Sequence, residues 1–264
     1  MELFDSHAHY NDDKFDEDRE EVIESIYNSG VTKLINAGYS LESSIYALQI
    51  AKNYSWMYTI SGISPNDIPA SIEEIETQLN KLLEIIKNEK DNKKIVAIGE
   101  IGLDYYWEKN IERRNIQKDT FIKQIEIANN LELPIVIHTR EAIMDTLEIL
   151  KNYPVIKKGV FHCCPLNREL VKEAIKLGYY ISFAGPITFK NSKNANEIIE
   201  LVPLDRMLIE TDSPYLSPEP NRGKRNDSRN VRFIAEKIAS ARQMPVDEIA
   251  KITYENACRV FEIK

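Results

Sequence analysis

Only four histidines occur in this chain of 264 residues, and two of them are one residue apart near its start, in Asp5-Ser6-His7-Ala8-His9. The other two, His138 and His162, each close a short apolar run, Ile135-Val136-Ile137-His138 and Val160-Phe161-His162. Two carboxylates end apolar runs in the same way: Glu100 after Val96-Ala97-Ile98-Gly99, and Asp212 after Leu208-Ile209-Glu210-Thr211. Imidazole and carboxylate groups are nitrogen and oxygen ligands for divalent ions, and they are also general acids and bases. Singly, a strand-end histidine is a satisfied, partly buried side chain and a strand-end acid caps a helix. Together the six exceed what one tetrahedral zinc takes and suit two metals sharing a bridging carboxylate.

These residues work together only if the fold brings their strand ends to one place. Short β-rich runs recur at 3–8, 33–37, 57–63, 95–99, 135–138, 160–162, 179–183 and 207–210, with helix-period segments between them. The clearest helical stripe is Ile72, Ile75, Leu79, Leu82, Leu83 and Ile86. A charged stretch, 87–94, leads from that helix into the fourth strand, and 231–241 and 246–261 read as closing helices. Eight strands joined by helical crossovers must pair in parallel, and at ~250 residues the economical closure is a single-domain α/β (β/α)8 TIM barrel spanning 1–264. An open doubly wound sheet is the alternative. In a barrel the C-terminal strand ends form the active-site mouth. His7 and His9, two apart, would face the same way there.

Composition bounds the rest. With 42 acidic against 34 basic side chains the net charge is -8, so any polyanion must be met locally rather than by a generally cationic surface. The start carries no basic and apolar leader and no apolar run is long enough to span a membrane, so a soluble, cytoplasmic protein without membrane contact is expected; a monomer is the expected state, with an oligomer as the alternative. Three cysteines without a C-x-x-C spacing encode neither a disulfide framework nor a zinc ribbon. Cys163 adjoins His162, but period-2 alternation turns it to the helix-packed face, as core and not ligand.

The stretches DSHAH, GEIGLDYY, LPIVIHTREA, FHCC, ISFAGPITFK and LIETDSPYLSPEPNRGKRN together resemble the TatD family of metal-dependent deoxyribonucleases, and the resemblance runs through essentially the whole chain. It implies that His7, His9 and Asp212 hold one metal, that Glu100 bridges to a second, and that His138 and His162 complete the second. It implies two divalent ions (zinc, manganese or magnesium) and hydrolysis of DNA phosphodiesters, often from a 3′ end, on single strands or at ends. Asp212 and Glu100 are the catalytic carboxylates in this reading, Asp212 orienting the water and taking its proton.

Around that set several roles stay open. Arg140, two residues past His138, either clamps a phosphate oxygen or pairs with Glu141. The run holding Arg222, Lys224, Arg225, Arg229 and Arg232 is either a solvated face or a phosphate contact, and its place after Asp212 favours Arg222 and Arg225 as substrate-binding. Tyr105, Tyr106, Trp107 and Tyr215 either stack an unpaired base or pack the rim, packing being the commoner role. The same metal pair could instead cut C–N or ester bonds of a small molecule, and a scaffold with a vestigial site is the third class. The chain also departs from the family in Gly62-Ile63-Ser64-Pro65, where a histidine usually stands in place of Ser64.

Overall fold

The computed structural model describes residues 1–89 and 92–264; Lys90 and Asp91, within the charged stretch expected to enter the fourth strand, lie outside the described residues. Eight parallel strands follow one another in chain order around a barrel: β1 (Leu3–Ala8), β2 (Val31–Ala37), β3 (Met57–Ser61), β4 (Ile95–Asp104), β5 (Ile135–Arg140), β6 (Gly159–Phe161), β7 (Tyr180–Phe183) and β8 (Met207–Ile209). The helices between them are α1 (Arg19–Asn28), α2 (Leu41–Lys52), α3 (Ile72–Asn88), α4 (Ile111–Leu131), α5 (Ile143–Asn152), α6 (Arg168–Lys176) and α7 (Ala195–Leu201), and α8 (Val231–Arg242) and α9 (Val246–Val260) follow the last strand. The ring closes between β1 and the segment after β8, where the Asp212 amide donates to His7 C=O (2.9 Å) and the His9 amide to Ser213 C=O (2.6 Å). No helix among the described residues is long and apolar enough to cross a membrane.

The sequence explains the elements locally. Helix α3 starts where the Ser71 hydroxyl accepts the Glu74 amide (3.2 Å) and buries Ile75, Leu79, Leu82 and Ile86, the inward side of its stripe. Strands covered on both faces read as apolar runs. One buried cluster takes a residue from every strand: Phe4, Ile35, Ile60, Val96, Val136, Val160, Tyr180 and Leu208. Only the inside of the barrel lets all eight strands meet, and α9 with the C-terminal tail closes this layer through Ala257, Val260, Phe261 and Ile263.

Two residues on from that layer, period 2 returns each strand to the interior. Val136 is followed by His138, Val160 by His162, and Leu208 by Glu210 and then Asp212. Strand β1 breaks the count, since its pairing with β2 shifts register between Asp5 and Ala8, the stretch that carries His7. Strand β4 runs five residues beyond the expected 95–99, because Gly102 (φ +143) lets it lie against β5: a Cβ there would sit 2.0 Å from His138 O.

Candidate metal centre

Four histidines and two carboxylates converge at the C-terminal strand ends. His7 comes from β1 and His9 lies one residue past it; Glu100 and His138 lie within β4 and β5; His162 and Asp212 follow β6 and β8. His7 Nε2 and His9 Nε2 are 3.2 Å apart, and Asp212 Oδ1 lies 3.2 Å from the latter and 3.8 Å from the former. The two oxygens of Glu100 divide between the halves of the site. Oε2 lies 3.5 Å from His7 Nε2, while Oε1 lies 2.8 Å from His138 Nδ1 and 3.2 Å from His162 Nε2. Asp212 has left-handed backbone (φ +57), a conformation that aspartate tolerates better than most residues, and its amide bond to His7 C=O holds that turn against β1.

Each of three imidazoles has its second nitrogen committed elsewhere. His9 Nδ1–H donates to Ala37 C=O (3.0 Å), His138 Nε2–H to Asp104 Oδ2 (3.0 Å), and His162 Nδ1–H to Glu210 Oε1 (3.3 Å), the tautomers following from these partners. Their remaining nitrogens therefore point lone pairs inward, at one another and at carboxylate oxygens. His7 Nδ1 is buried and has no hydrogen-bond partner among the described residues. Once unprotonated, these converging nitrogens form with the carboxylate oxygens a receptor for cations. Among the described residues, three sets of ligand atoms lie within reach of one ion: His7, His9 and Glu100; Glu100, His138 and His162; and His7, His162 and Asp212. The donors are nitrogen and oxygen only, a set suited to zinc or manganese.

The charges are strongly coupled. Burial pushes the Glu100 carboxyl up, but the imidazoles of His162, His138 and His7 outweigh it and hold the group well below the usual carboxylate range. The same balance lowers Asp212, where burial is outweighed by His9 first. Burial lowers His162, His138 and His9, yet facing carboxylates raise all three above the ordinary imidazole value, His162 the most. His7 moves down, through burial and then through the charge of His162.

Three acids that the sequence reading passed over complete the support. Asp104 holds His138 and also accepts the amides of Tyr106 (2.9 Å) and Trp107 (3.0 Å); burial raises its carboxyl, but His138 and the Trp107 amide bring it down to about 2. Glu210 holds His162 and the Cys163 amide (2.7 Å). Asp5 is fully buried and joins β1 to the Thr211 amide (2.9 Å) and hydroxyl (2.5 Å); burial pushes its carboxyl up to about 7 against the pull of hydrogen bonds. Asp5 and Glu210 stand two residues before ligands, and such spacing on a buried strand was the available signal.

The centre lies in a cavity of about 840 Å³, whose wall includes Arg140, Ser64, Trp107 and Tyr215. Arg140 does not pair with Glu141, which faces Lys109 (3.4 Å); its guanidinium lies 3.7 Å over the Tyr106 ring. Ser64 donates to Asp67 Oδ2 (2.6 Å). Arg222 and Arg225 are not part of this wall. Arg225 is committed to Asp18 (2.5 Å) and Lys14 C=O (2.7 Å), and Arg222 lies 4.1 Å over Phe189 near Glu219. The core assignment of Cys163 is corrected: β6 stops at Phe161, a left-handed turn (φ +37) ends the alternation, and Cys163 lines the cavity. Burial and the carboxylates of Asp212 and Glu210 push its thiol well up, away from the thiolate a metal would need.

Residues 4–262 match the family model described as TatD related DNase. The chain is 41% identical over 262 residues, 99% of both chains, to the metal-dependent hydrolase YabD of Bacillus subtilis, and 34% identical over 262 residues to a metal-dependent hydrolase of Methanocaldococcus jannaschii, covering 99% of this chain and 98% of that one. Among solved structures, a TatD homologue from Escherichia coli K12 superposes with a TM-score of 0.91 at 25% identity, covering 99% of this chain and 98% of that one.

Proposed function

The chain belongs to the TatD related DNase family and is a metal-dependent hydrolase, and from that premise we propose that it hydrolyses phosphodiester bonds of DNA at a pair of divalent cations, working inward from a 3′ end on a single strand. The observation that carries this reading is the division of Glu100, one oxygen toward His7 and the other toward His138 and His162. His7, His9, Asp212 and Glu100 Oε2 would hold one ion; His138, His162 and Glu100 Oε1 would hold the other. Such a pair acidifies water towards neutral pH and neutralises the attacking and leaving oxygens of an in-line displacement at phosphorus.

The chain's own residues do the rest. Asp212, kept ionised by His9, orients the attacking water and accepts its proton. Arg140, on the cavity wall, has a planar fork of donors for a non-bridging phosphate oxygen. Asp104 and Glu210 fix the rings of His138 and His162, so these two ligand nitrogens are oriented toward Glu100 before any ion binds.

The test is incubation of the protein with single-stranded DNA labelled at its 5′ end, with Mg²⁺, Mn²⁺ or Zn²⁺ and an EDTA control. A ladder that shortens from the 3′ end only with added metal is the expected result. Intact DNA alongside metal-dependent hydrolysis of an amide or lactone would overturn the proposal and assign the centre to C–N or ester chemistry.

A further inference from the structure

Trp107 and Tyr215 follow β4 and β8, which stand half the ring apart in an eight-stranded barrel ordered β1 to β8. Both line the cavity above the metal centre, so they face it from opposite sides. Both are large rings left open to water, Trp107 at 67% and Tyr215 at 43% exposure, so packing accounts for little of Trp107's surface. Yet neither is loosely held. The Trp107 and Tyr106 amides share Asp104 Oδ1, the two rings meet edge to face at 4.7 Å, and the Arg140 guanidinium lies 5.7 Å from the Trp107 ring. The Tyr215 amide donates to Asp212 C=O (2.9 Å), its hydroxyl to Asp12 Oδ2 (2.5 Å), and the Lys14 ammonium sits 4.0 Å over its ring.

Each wall is thus tied by hydrogen bonds to a residue of the centre: Trp107 through Asp104 to His138, and Tyr215 directly to Asp212. Each also has a cation close to its ring, Lys14 over one face of Tyr215 and Arg140 5.7 Å from the Trp107 ring. An aromatic face presented to solvent beside a cation is the chemistry that stacks a nucleobase, and it tolerates any base because every base has a π-face. A cavity of about 840 Å³ falls within the ~300–1,000 Å³ that encloses one small ligand.

We propose that Trp107 and Tyr215 are specificity residues that stack the two bases flanking the scissile phosphate, so that the smallest good substrate is a dinucleotide. This rests on the phosphodiesterase reading above. Bases paired in a duplex have their faces covered, so the two walls select unpaired ends without reading sequence.

The experiment is a cycle between protein and substrate on the metal-loaded full chain. The substrates are the thymidine dinucleotide and two analogues, each with one nucleoside replaced by an abasic deoxyribose. Trp107→Ala should lower kcat/KM for the dinucleotide about 5- to 150-fold, the equivalent of ~1–3 kcal/mol for one stacked base, mainly through KM. It should leave one of the two abasic analogues unaffected; Tyr215→Leu should spare the other, and Tyr215→Phe should resemble the parent. Equal losses on all three substrates would overturn the proposal. A second readout does not need turnover. In a Trp56→Phe background Trp107 is the remaining tryptophan of two, and the dinucleotide should quench its emission while the matching abasic analogue does not. Quenching without hydrolysis would keep the stacking walls and remove the phosphodiesterase reading; neither quenching nor hydrolysis would remove both.

Discussion

Asp104→Asn isolates the support behind one half of the centre. Asp104 Oδ2 accepts the His138 Nε2–H at 3.0 Å, fixing the tautomer that turns Nδ1 toward Glu100. The carboxyl falls from an ordinary 3.8 to about 2, with His138 the largest favourable contributor ahead of the Trp107 amide and Asn66. Burial works against that fall, so the hydrogen bond and charge of His138 are the chief interactions that outweigh it. Asparagine keeps an acceptor but loses the charge, so affinity for the ion held by His138, His162 and Glu100 is expected to fall by about tenfold, the lower end of the ~10–100-fold losses typical when a ligand's outer partner is removed. Calorimetric titration of metal-free protein should resolve two classes of site in the parent and weaken only one of them in the variant. Equal weakening of both classes, or no change in either, would refute the assignment of Asp104 to one half.

Glu100→Ala and Asp212→Ala should each abolish hydrolysis and leave the melting temperature of the metal-free protein within a few degrees, because strand-end groups at a barrel mouth serve function more than stability; elemental analysis should find two ions per parent chain, and saturation at one would refute the bridging role of Glu100. Arg225→Ala should leave KM for DNA unchanged and cost at most ~1 kcal/mol of stability, since its half-exposed pair with Asp18 ties surface segments together. In the metal-free protein His162, His138 and His9 titrate above the ordinary imidazole value, and each must lose its proton to bind metal. Metal affinity should therefore fall as pH falls through those raised values, and calorimetry in buffers of different ionisation heat should detect proton release on binding; no release at neutral pH would contradict these raised values. Ser64→His should speed DNA cleavage, by up to the ~10²–10⁴-fold available to a general acid, and leave an aryl phosphodiester unchanged; equal effects would place Ser64 outside the proton path.

Four of the six converging side chains, Glu100, His138, His162 and Asp212, were legible because each closes a β-rich run that has little reason to end on a titratable group unless that position is functional, and His7 and His9 were legible as a pair two apart near the end of β1. The acids behind them were not. Asp5 sits inside β1 and Glu210 directly after β8, both fully buried, where a carboxylate looks the same in sequence whether it binds a metal or braces a ligand. Asp104 lay past Gly102, which reads as punctuation, although the glycine is what lets β4 continue beside His138. Cys163 was misplaced because alternation holds only while a strand continues, and β6 stops two residues earlier. Arg225 was read from local charge alone, and its partner Asp18 is 207 residues away in sequence, so a local charge count could not see the pair.

Asp104 joins more than one part of the site. Its Oδ2 serves His138 and receives the Asn66 side-chain amide at 3.3 Å, while its Oδ1 holds the turn that presents Tyr106 and Trp107. Gln117 of α4 fixes the same joint, accepting the Asp104 amide (3.1 Å) and donating to Pro65 C=O (3.1 Å). The loop after β3, which carries Ser64, is therefore coupled through Asn66 and Gln117 to the carboxylate that aims a ligand and to one wall of the cavity. A change in that loop reaches the centre by two routes: directly, through what the side chain at 64 offers the substrate, and indirectly, through the aim of His138. The routes separate experimentally, because only the indirect one alters metal affinity. A substitution at 64 that changes cleavage and leaves both metal affinities intact acts on the substrate, whereas one that weakens the site of His138 and His162 acts through Asp104.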